Sequence, residues 1–470
     1  MSGVWGDRLA RLTGHLPLPE EIATLRTPPD LRGADLTPRA GGAVAVGRTA
    51  TTLMASTIAT SVMGFAFWIV VARWFPAEVV GRASALIASM TLIASVAQLN
   101  LVHLFARYLP MAGGKTARWV TGGFIAVGAT AGFLGSAFLG LGLDGGLAGA
   151  GWGWAALFVA SAALAAVSFV ADGVITSLGR AHWVPLKNVG THAAKLGLAV
   201  LLGVVGLTAS YRSLFLAWMV PITIAVTLVV AAALRLARTR RGTPQTTPVR
   251  RREVASFVGA EYVNGILGNV VTYLPPVLVA HVLGAEHSAY FYVPWTMGVG
   301  ATALLWNIVT SFVVAASSDP RQAPQALKRA IRLGAVISVP GAIVLVLGAK
   351  PLLSLLGAGY AQGAVVLSLV GASLPFTAVL LLYSAFCVMR KRVWPLVAVQ
   401  TGAVVVLIGM SWWGMPLWGA TASGLAYFVG QAGFTLLVLP RVIRIYRETV
   451  RHREDWVRAS GPAVLAEIPG

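Results

Sequence analysis

Apolar runs of roughly 20 residues, each long enough to cross a bilayer's hydrocarbon core, recur along almost the whole chain and are separated by short segments rich in Arg, Lys, Gly and Pro. The runs fall at approximately 50–72, 83–105, 119–142, 153–178, 184–208 and 213–235. After the basic linker "RLARTRRGTPQTTPVRRRE" they resume at approximately 255–282, 288–314, 331–349, 363–388, 393–414 and 417–440. The alternating ten-residue pattern of an outer-membrane barrel is absent. The pattern predicts an all-α polytopic membrane protein with twelve transmembrane helices. Pro221, Pro275, Pro276, Pro294, Pro340 and Pro375 lie inside these runs and are expected to kink their helices, because neighbours in a bundle can satisfy the freed carbonyls.

Polar residues between the runs set the orientation. With twelve spans both termini share a side, and the five connections on that side hold 19 Lys and Arg. The six connections on the other side hold four: Arg73, Arg82, Arg212 and Lys350. By the positive-inside rule the termini and the linker face the cytoplasm. A wrong span count would scramble this alternation. The expected organisation is a cytoplasmic tail (1–47), a first lobe (48–235), a basic linker (236–253), a second lobe (254–442) and a cytoplasmic tail (443–470).

Composition then excludes alternatives. The chain is 57% hydrophobic and 11% charged with mean hydropathy +0.77, whereas about a quarter of an ordinary soluble protein is charged. The net charge of +20 sits in the connections, so it follows membrane topology and implies no nucleic acid partner. Cys387 is the single cysteine, which rules out an internal disulfide. The first 46 residues are polar and Pro-rich without an apolar core, so no cleaved signal peptide is expected. Excess Arg over Lys and abundant Ala, Gly and Val fit a GC-rich bacterial genome, and the location expected is the bacterial cytoplasmic membrane.

The halves echo each other. "VARWFPAE" (71–78) closes the first run and "VAHVLGAE" (279–286) closes the seventh, 208 residues later, with four of eight positions identical. "GRAHWVPL" (179–186) and "RKRVWPL" (390–396) repeat a basic turn leading into Trp and Pro-Leu, with Pro185 and Pro395 offset by 210. Six spans is an even number, so both copies enter the membrane in the same sense. The lobes should therefore be parallel repeats about a pseudo-two-fold along the membrane normal, a design that places substrate between the halves.

"NLVHLFARYLP", "VARWFPAEVVGRASAL" and "LSLLGAGYAQGAVVLSLV" resemble the multidrug/oligosaccharidyl-lipid/polysaccharide (MOP) flippase superfamily, and most of all its Wzx-type oligosaccharide flippases. The resemblance runs from about residue 48 to 445 through loose, mostly apolar motifs. It implies two six-helix lobes, alternating access, bent first and seventh helices, and export of undecaprenyl-diphosphate-linked sugars. It also implies a coupling ion (H⁺ or Na⁺), polysaccharide assembly enzymes as partners, and no cofactor. Arg107 matches the superfamily's recurrent basic residue after the second span.

Other chemistry finds no support. "GGKT" (113–116) ends like a phosphate-binding loop, but Leu109 stands where that motif needs glycine and no strand precedes it. No His/Cys/acid cluster has metal-ligand spacing and no G-x-S-x-G elbow is present. The N-terminal "VWGDRLARLTGHL" reads equally as an interfacial helix or as a tail, and "RVIRIYRETVRHREDWVRAS" reads as a surface helix.

Ionisable groups inside the apolar runs are the functional candidates, since a charge at that depth is costly unless it faces a bundle interior or a wet cavity. Ser161, Ser168, Asp172 and Thr176 form one stripe of the fourth span, Asn188, His192 and Lys195 one of the fifth, and Glu261, Asn264 and Asn269 one of the seventh. For the Ser and Thr members, interhelical hydrogen bonding is the favoured role. The candidate substrate and ion pathway is Arg48, Asp172, His192, Lys195, Glu261 and Asn264. Lys195 and His192 are expected to attract an anionic headgroup while Asp172 pairs with Lys195, and Glu261 is the candidate for ion coupling. The function these residues favour is a flippase for lipid-linked oligosaccharide, which is not an enzyme. The alternative is a cation-coupled multidrug exporter of the same fold, whose cavity should be acidic and aromatic. A membrane-embedded glycosyltransferase or polymerase is disfavoured by the short outer connections.

Overall fold

A computed structural model describes residues 56, 59–142, 151–239, 251–318, 323–390 and 393–464, without the side chains of 103, 107, 251–258, 260, 261 and 450–464. The expected N-terminal tail, Arg48 and most of the basic linker lie outside the described residues. Among the described residues, ten helices are long and apolar enough to cross a membrane, an eleventh span is a bent pair, and Ala59–Trp74 is a shorter apolar helix in the position of the first span. The second to sixth spans are Ala77–Ala97, Thr116–Gly140, Trp152–Ser177, Trp183–Val205 and Tyr211–Thr239. The seventh to ninth are Arg251–Leu283, Ala285–Ser318 and Ala323–Leu347. The tenth joins Ala364–Ala372 to Leu374–Met389, the eleventh is Trp394–Trp418, and the twelfth runs Thr421–Val464, well into the C-terminal segment.

Two spans depart from the hydropathy reading for identifiable reasons. The second ends at Ala97 because Leu99 and Asn100 both take left-handed backbone, φ 52° and 54°, a conformation that non-glycine residues adopt reluctantly. "LVHLFARY" then forms a separate short helix, Leu101–Tyr108, packed on the fourth span. Gly173 makes this packing possible, because a Cβ there would lie 3.1 Å from the Val102 backbone. The tenth span bends by 41° at Ser373, where Pro375 stands in the first turn of the second segment. Proline supplies no N–H to the preceding segment and its ring crowds that segment's carbonyls.

The packing repeats six helices on. In the first lobe the third span packs on the fourth, the second on the third and fourth, the fourth on the sixth, and the fifth on the sixth. In the second lobe the ninth packs on the tenth, the eighth on the ninth and tenth, the tenth on the twelfth, and the eleventh on the twelfth. The fold is two six-helix lobes in parallel repeat.

The lobes meet along the second span, which packs against both the seventh and the eighth. Near the start of the second span the approach is backbone to backbone: a Cβ on Gly81 would run into the carbonyl oxygen of Ala285 and lie 3.1 Å from the amide nitrogen of Ala289. The 208-residue offset of the echoes maps Gly81 onto Ala289, which is fully buried, so equivalent small residues of the two repeats face each other. Small residues at such crossings maximise van der Waals contact, the main attraction between helices in lipid. Arg73 Nε donates to the Leu355 carbonyl across the same seam at 2.9 Å. Towards the other end of the second span, the Tyr262 hydroxyl donates to the Val96 carbonyl at 2.7 Å.

Gly81→Val should therefore lower the thermal midpoint of the purified protein, by overpacking worth about 3 kcal/mol. Gly64→Ala, where a Cβ meets nothing within 4 Å, should leave it unchanged. Equal midpoints for Gly81→Val and the parent would show that the seam is not the tight crossing described.

Candidate transport site

Asp172 lies five residues before the end of the fourth span and Lys187 four residues into the fifth. At 1.5 Å per residue the two sit at nearly equal depth. Lys187 Nζ stands 2.6 Å from Asp172 Oδ1 and 3.5 Å from Ser168 Oγ. Both side chains are largely buried, with 10% of Lys187 and 27% of Asp172 accessible. This corrects the expected pairing: Asp172 pairs with Lys187, and no carboxylate among the described residues lies within ion-pair range of Lys195. The expectation measured depth from the polar turn and counted Lys187 with the basic connections, although the predicted run (184–208) already contains it. The helix boundaries place Lys187 inside the span, where it reaches Asp172 first.

Lys195 lies two turns deeper and is 5% exposed. Its ammonium sits 3.6 Å from the centre of the Trp218 ring, on the sixth span. Trp218 contacts Phe67 and Trp68 of the first span, with centroids 5.2 and 5.9 Å away. Trp68 in turn meets Tyr292 of the eighth span at 4.9 Å, which carries the cluster across the seam into the second lobe. Lys195, Trp218, Phe67, Trp68 and Tyr292 all lie roughly 10–15 Å beneath the outer ends of their helices by the same rise. The cluster therefore underlies the Gly81 crossing. Its aromatic members are absent from the expected site, because tryptophan in an apolar run carries no signal that separates a cation platform from core packing.

The remaining candidates divide. His192 lies between Lys187 and Lys195 along the fifth span, and its Nδ1 is 2.9 Å from the Asn188 carbonyl, a bond within its own helix. Asn264 has a buried Oδ1 with no hydrogen-bond partner among the described residues. Glu261 lies in the seventh helix, and its side chain is outside the described residues, as are Arg48 and the Arg107 side chain. The structure thus brings Lys195 and an aromatic seam together, and separately Asp172 with Lys187.

Energetics distinguish the two charged sites. The Asp172–Lys187 pair neutralises itself. Lys195 has only a ring face: a desolvated cation–π contact returns about 2 kcal/mol, against a desolvation penalty of several kcal/mol for a buried ion. Burial therefore costs the Lys195 ammonium more than the ring face returns. Lys187→Met should strand Asp172 and lower stability by about 2 kcal/mol, less than a fully buried pair because Asp172 retains some accessibility. The exchange Asp172→Lys/Lys187→Asp should recover most of that loss in a thermal unfolding series. Equal stability of Lys187→Met and the parent would exclude a structural ion pair.

No protein-family model and no curated protein sequence matches the chain. Solved structures do. A multidrug resistance MATE family transporter of the MOP superfamily in an inward-facing conformation superposes with a TM-score of 0.65 at 13% identity, over 86% of this chain and 99% of that one. The lipid II flippase MurJ in an inward closed conformation superposes at 0.64 with 12% identity, over 90% of this chain and 93% of that one. A multidrug resistance MATE family transporter in an outward-facing conformation gives 0.55 at 15% identity, over 87% and 96%. Hydropathy, the repeated packing and these superpositions agree that the chain has the fold of the MOP-superfamily transporters.

Proposed function

We propose that this protein is a flippase that moves an anionic, lipid-linked oligosaccharide of the undecaprenyl-diphosphate type from the cytoplasmic to the outer leaflet of the bacterial membrane. The observation that carries this reading is a buried lysine with no carboxylate in ion-pair range among the described residues. Lys195 sits behind aromatic rings that both lobes contribute, so separating the lobes at Trp68 and Tyr292 uncovers a positive site to a diphosphate. Cationic walls in a low-dielectric cleft attract anions strongly. The unpartnered Asn264 Oδ1 is an acceptor for a sugar hydroxyl, and Glu261 is the candidate for proton or sodium coupling. Similarity to the lipid II flippase fits this substrate class, and the better superposition on an inward-facing than an outward-facing relative fits lobes joined near the outer surface. Genes for polysaccharide assembly enzymes are the expected neighbours.

The second reading is a cation-coupled multidrug exporter, favoured by the aromatic cluster and by the MATE superpositions. The sign of the cavity separates the two. In proteoliposomes, flipping of a fluorescent polyprenyl-diphosphate sugar should fall at least tenfold in Lys195→Ala, a loss of about 1.4 kcal/mol or more, and recover in part in Lys195→Arg. Efflux of an aromatic cation by the parent protein, undiminished or raised in Lys195→Ala, with no flipping of the diphosphate lipid, would overturn the flippase reading in favour of the exporter.

A further inference from the structure

At the cytoplasmic end of the second lobe, two cavities share a wall. The first is lined by Lys328, Ile331 and Arg332 of the ninth span and by Val442, Ile443 and Tyr446 of the twelfth. The second is an apolar crevice between the eighth, ninth and tenth spans, where Leu305, Val309, Gly334, Ala335 and Pro375 form part of the lining. Ile331 lines both. The crevice follows from the fold: Pro375 accompanies the 41° bend of the tenth span, which turns the lower half of that helix relative to its neighbours.

Charge makes this pair of cavities more than an apolar gap. Lys328 and Arg332 are one helical turn apart and exposed, so both cations overhang the same basin. The nearest described acid on the twelfth helix, Glu448, is engaged by Arg390 at 3.0 Å and by Arg444 at 3.6 Å. No described carboxylate pairs with Lys328 or Arg332. A basic basin lined by a tyrosine, beside a hydrocarbon-lined crevice and sharing Ile331 with it, matches the polarity of one amphiphile. The head is a phosphate and the tail is an alkyl chain.

We infer that Lys328, Arg332 and Tyr446 hold the phosphate headgroup of an anionic glycerophospholipid of the inner leaflet, with an acyl chain along the crevice past Ile331 and Pro375. The site lies away from the Lys195 cluster, in the other lobe, and does not depend on the identity of the transported substrate. A bound lipid would brace the ninth, tenth and twelfth spans against one another, and basic pockets between helices at this surface are suited to such headgroups.

The test uses the full chain, purified and delipidated in detergent, and reads bound lipid by native mass spectrometry. The first arm titrates the wild-type protein with phosphatidylglycerol and, separately, with phosphatidylcholine of the same chains. A clear preference for phosphatidylglycerol that weakens with salt is expected, and equal retention overturns the proposal. In the second arm, Lys328→Gln/Arg332→Gln should bind phosphatidylglycerol roughly tenfold more weakly or worse, as expected on losing two surface cations. Ala335→Phe, which fills the crevice without changing charge, should also weaken binding. Unchanged retention in both variants overturns the proposal. Glycerol phosphate displacing the lipid would show an anion site without a tail groove. Undecaprenyl phosphate outcompeting phosphatidylglycerol through the same two cations would make the basin a vestibule for substrate lipid. Either result overturns the assignment to a glycerophospholipid.

Discussion

The contact between Gly81 and the Ala285 carbonyl sets the geometry on which the rest depends. No side chain intervenes at this point, so the second and eighth spans meet backbone to backbone. Lipid tails are as apolar as leucine, so lobes in a bilayer gain little from hiding apolar surface and must rely on close packing and directed hydrogen bonds. Gly81 supplies the packing, and Arg73 on the Leu355 carbonyl and Tyr262 on the Val96 carbonyl supply the bonds. Because equivalent positions of the repeat face each other there, the pseudo-two-fold passes close to this crossing. A small rotation about it changes the separation of the aromatic rings beneath.

Those rings link architecture to chemistry. Trp68 and Tyr292 belong to different lobes and touch, and Trp218 behind them holds Lys195. In the proposed flippase, that cation would meet a ligand only when the lobes part at Trp68 and Tyr292. The Asp172–Lys187 pair ties the fourth span to the fifth, close to where the short helix Leu101–Tyr108 lies against Gly173.

Much of this was legible in the residues. Twelve runs, the alternation of basic connections and the echo of "VARWFPAE" in "VAHVLGAE" lead to two parallel six-helix lobes, because membrane topology obeys period and charge rules that one sequence displays. The end of the second span was hidden in two left-handed residues, neither of them glycine, which no hydropathy window detects. The partner of Asp172 was misread although the predicted run (184–208) already held Lys187, because a lysine one turn inside a span was counted with the basic connection rather than as a partner inside the bundle. The Trp218 platform was illegible for a different reason. Which face of a wholly apolar helix a tryptophan occupies depends on its neighbours, and nothing in periodicity distinguishes them.

The claim most open to direct measurement is that the outer seam is a closed state which substrate opens. Trp152 and Leu417 mark the outer ends of the first and second lobes and are 94% and 75% exposed, so paired spin labels can replace them in a Cys387→Ala background. Pulsed electron resonance in nanodiscs should give one short distance without ligand. A second, longer distance should grow as a polyprenyl-diphosphate sugar is added. A single distance that stays unchanged across the titration would contradict the account.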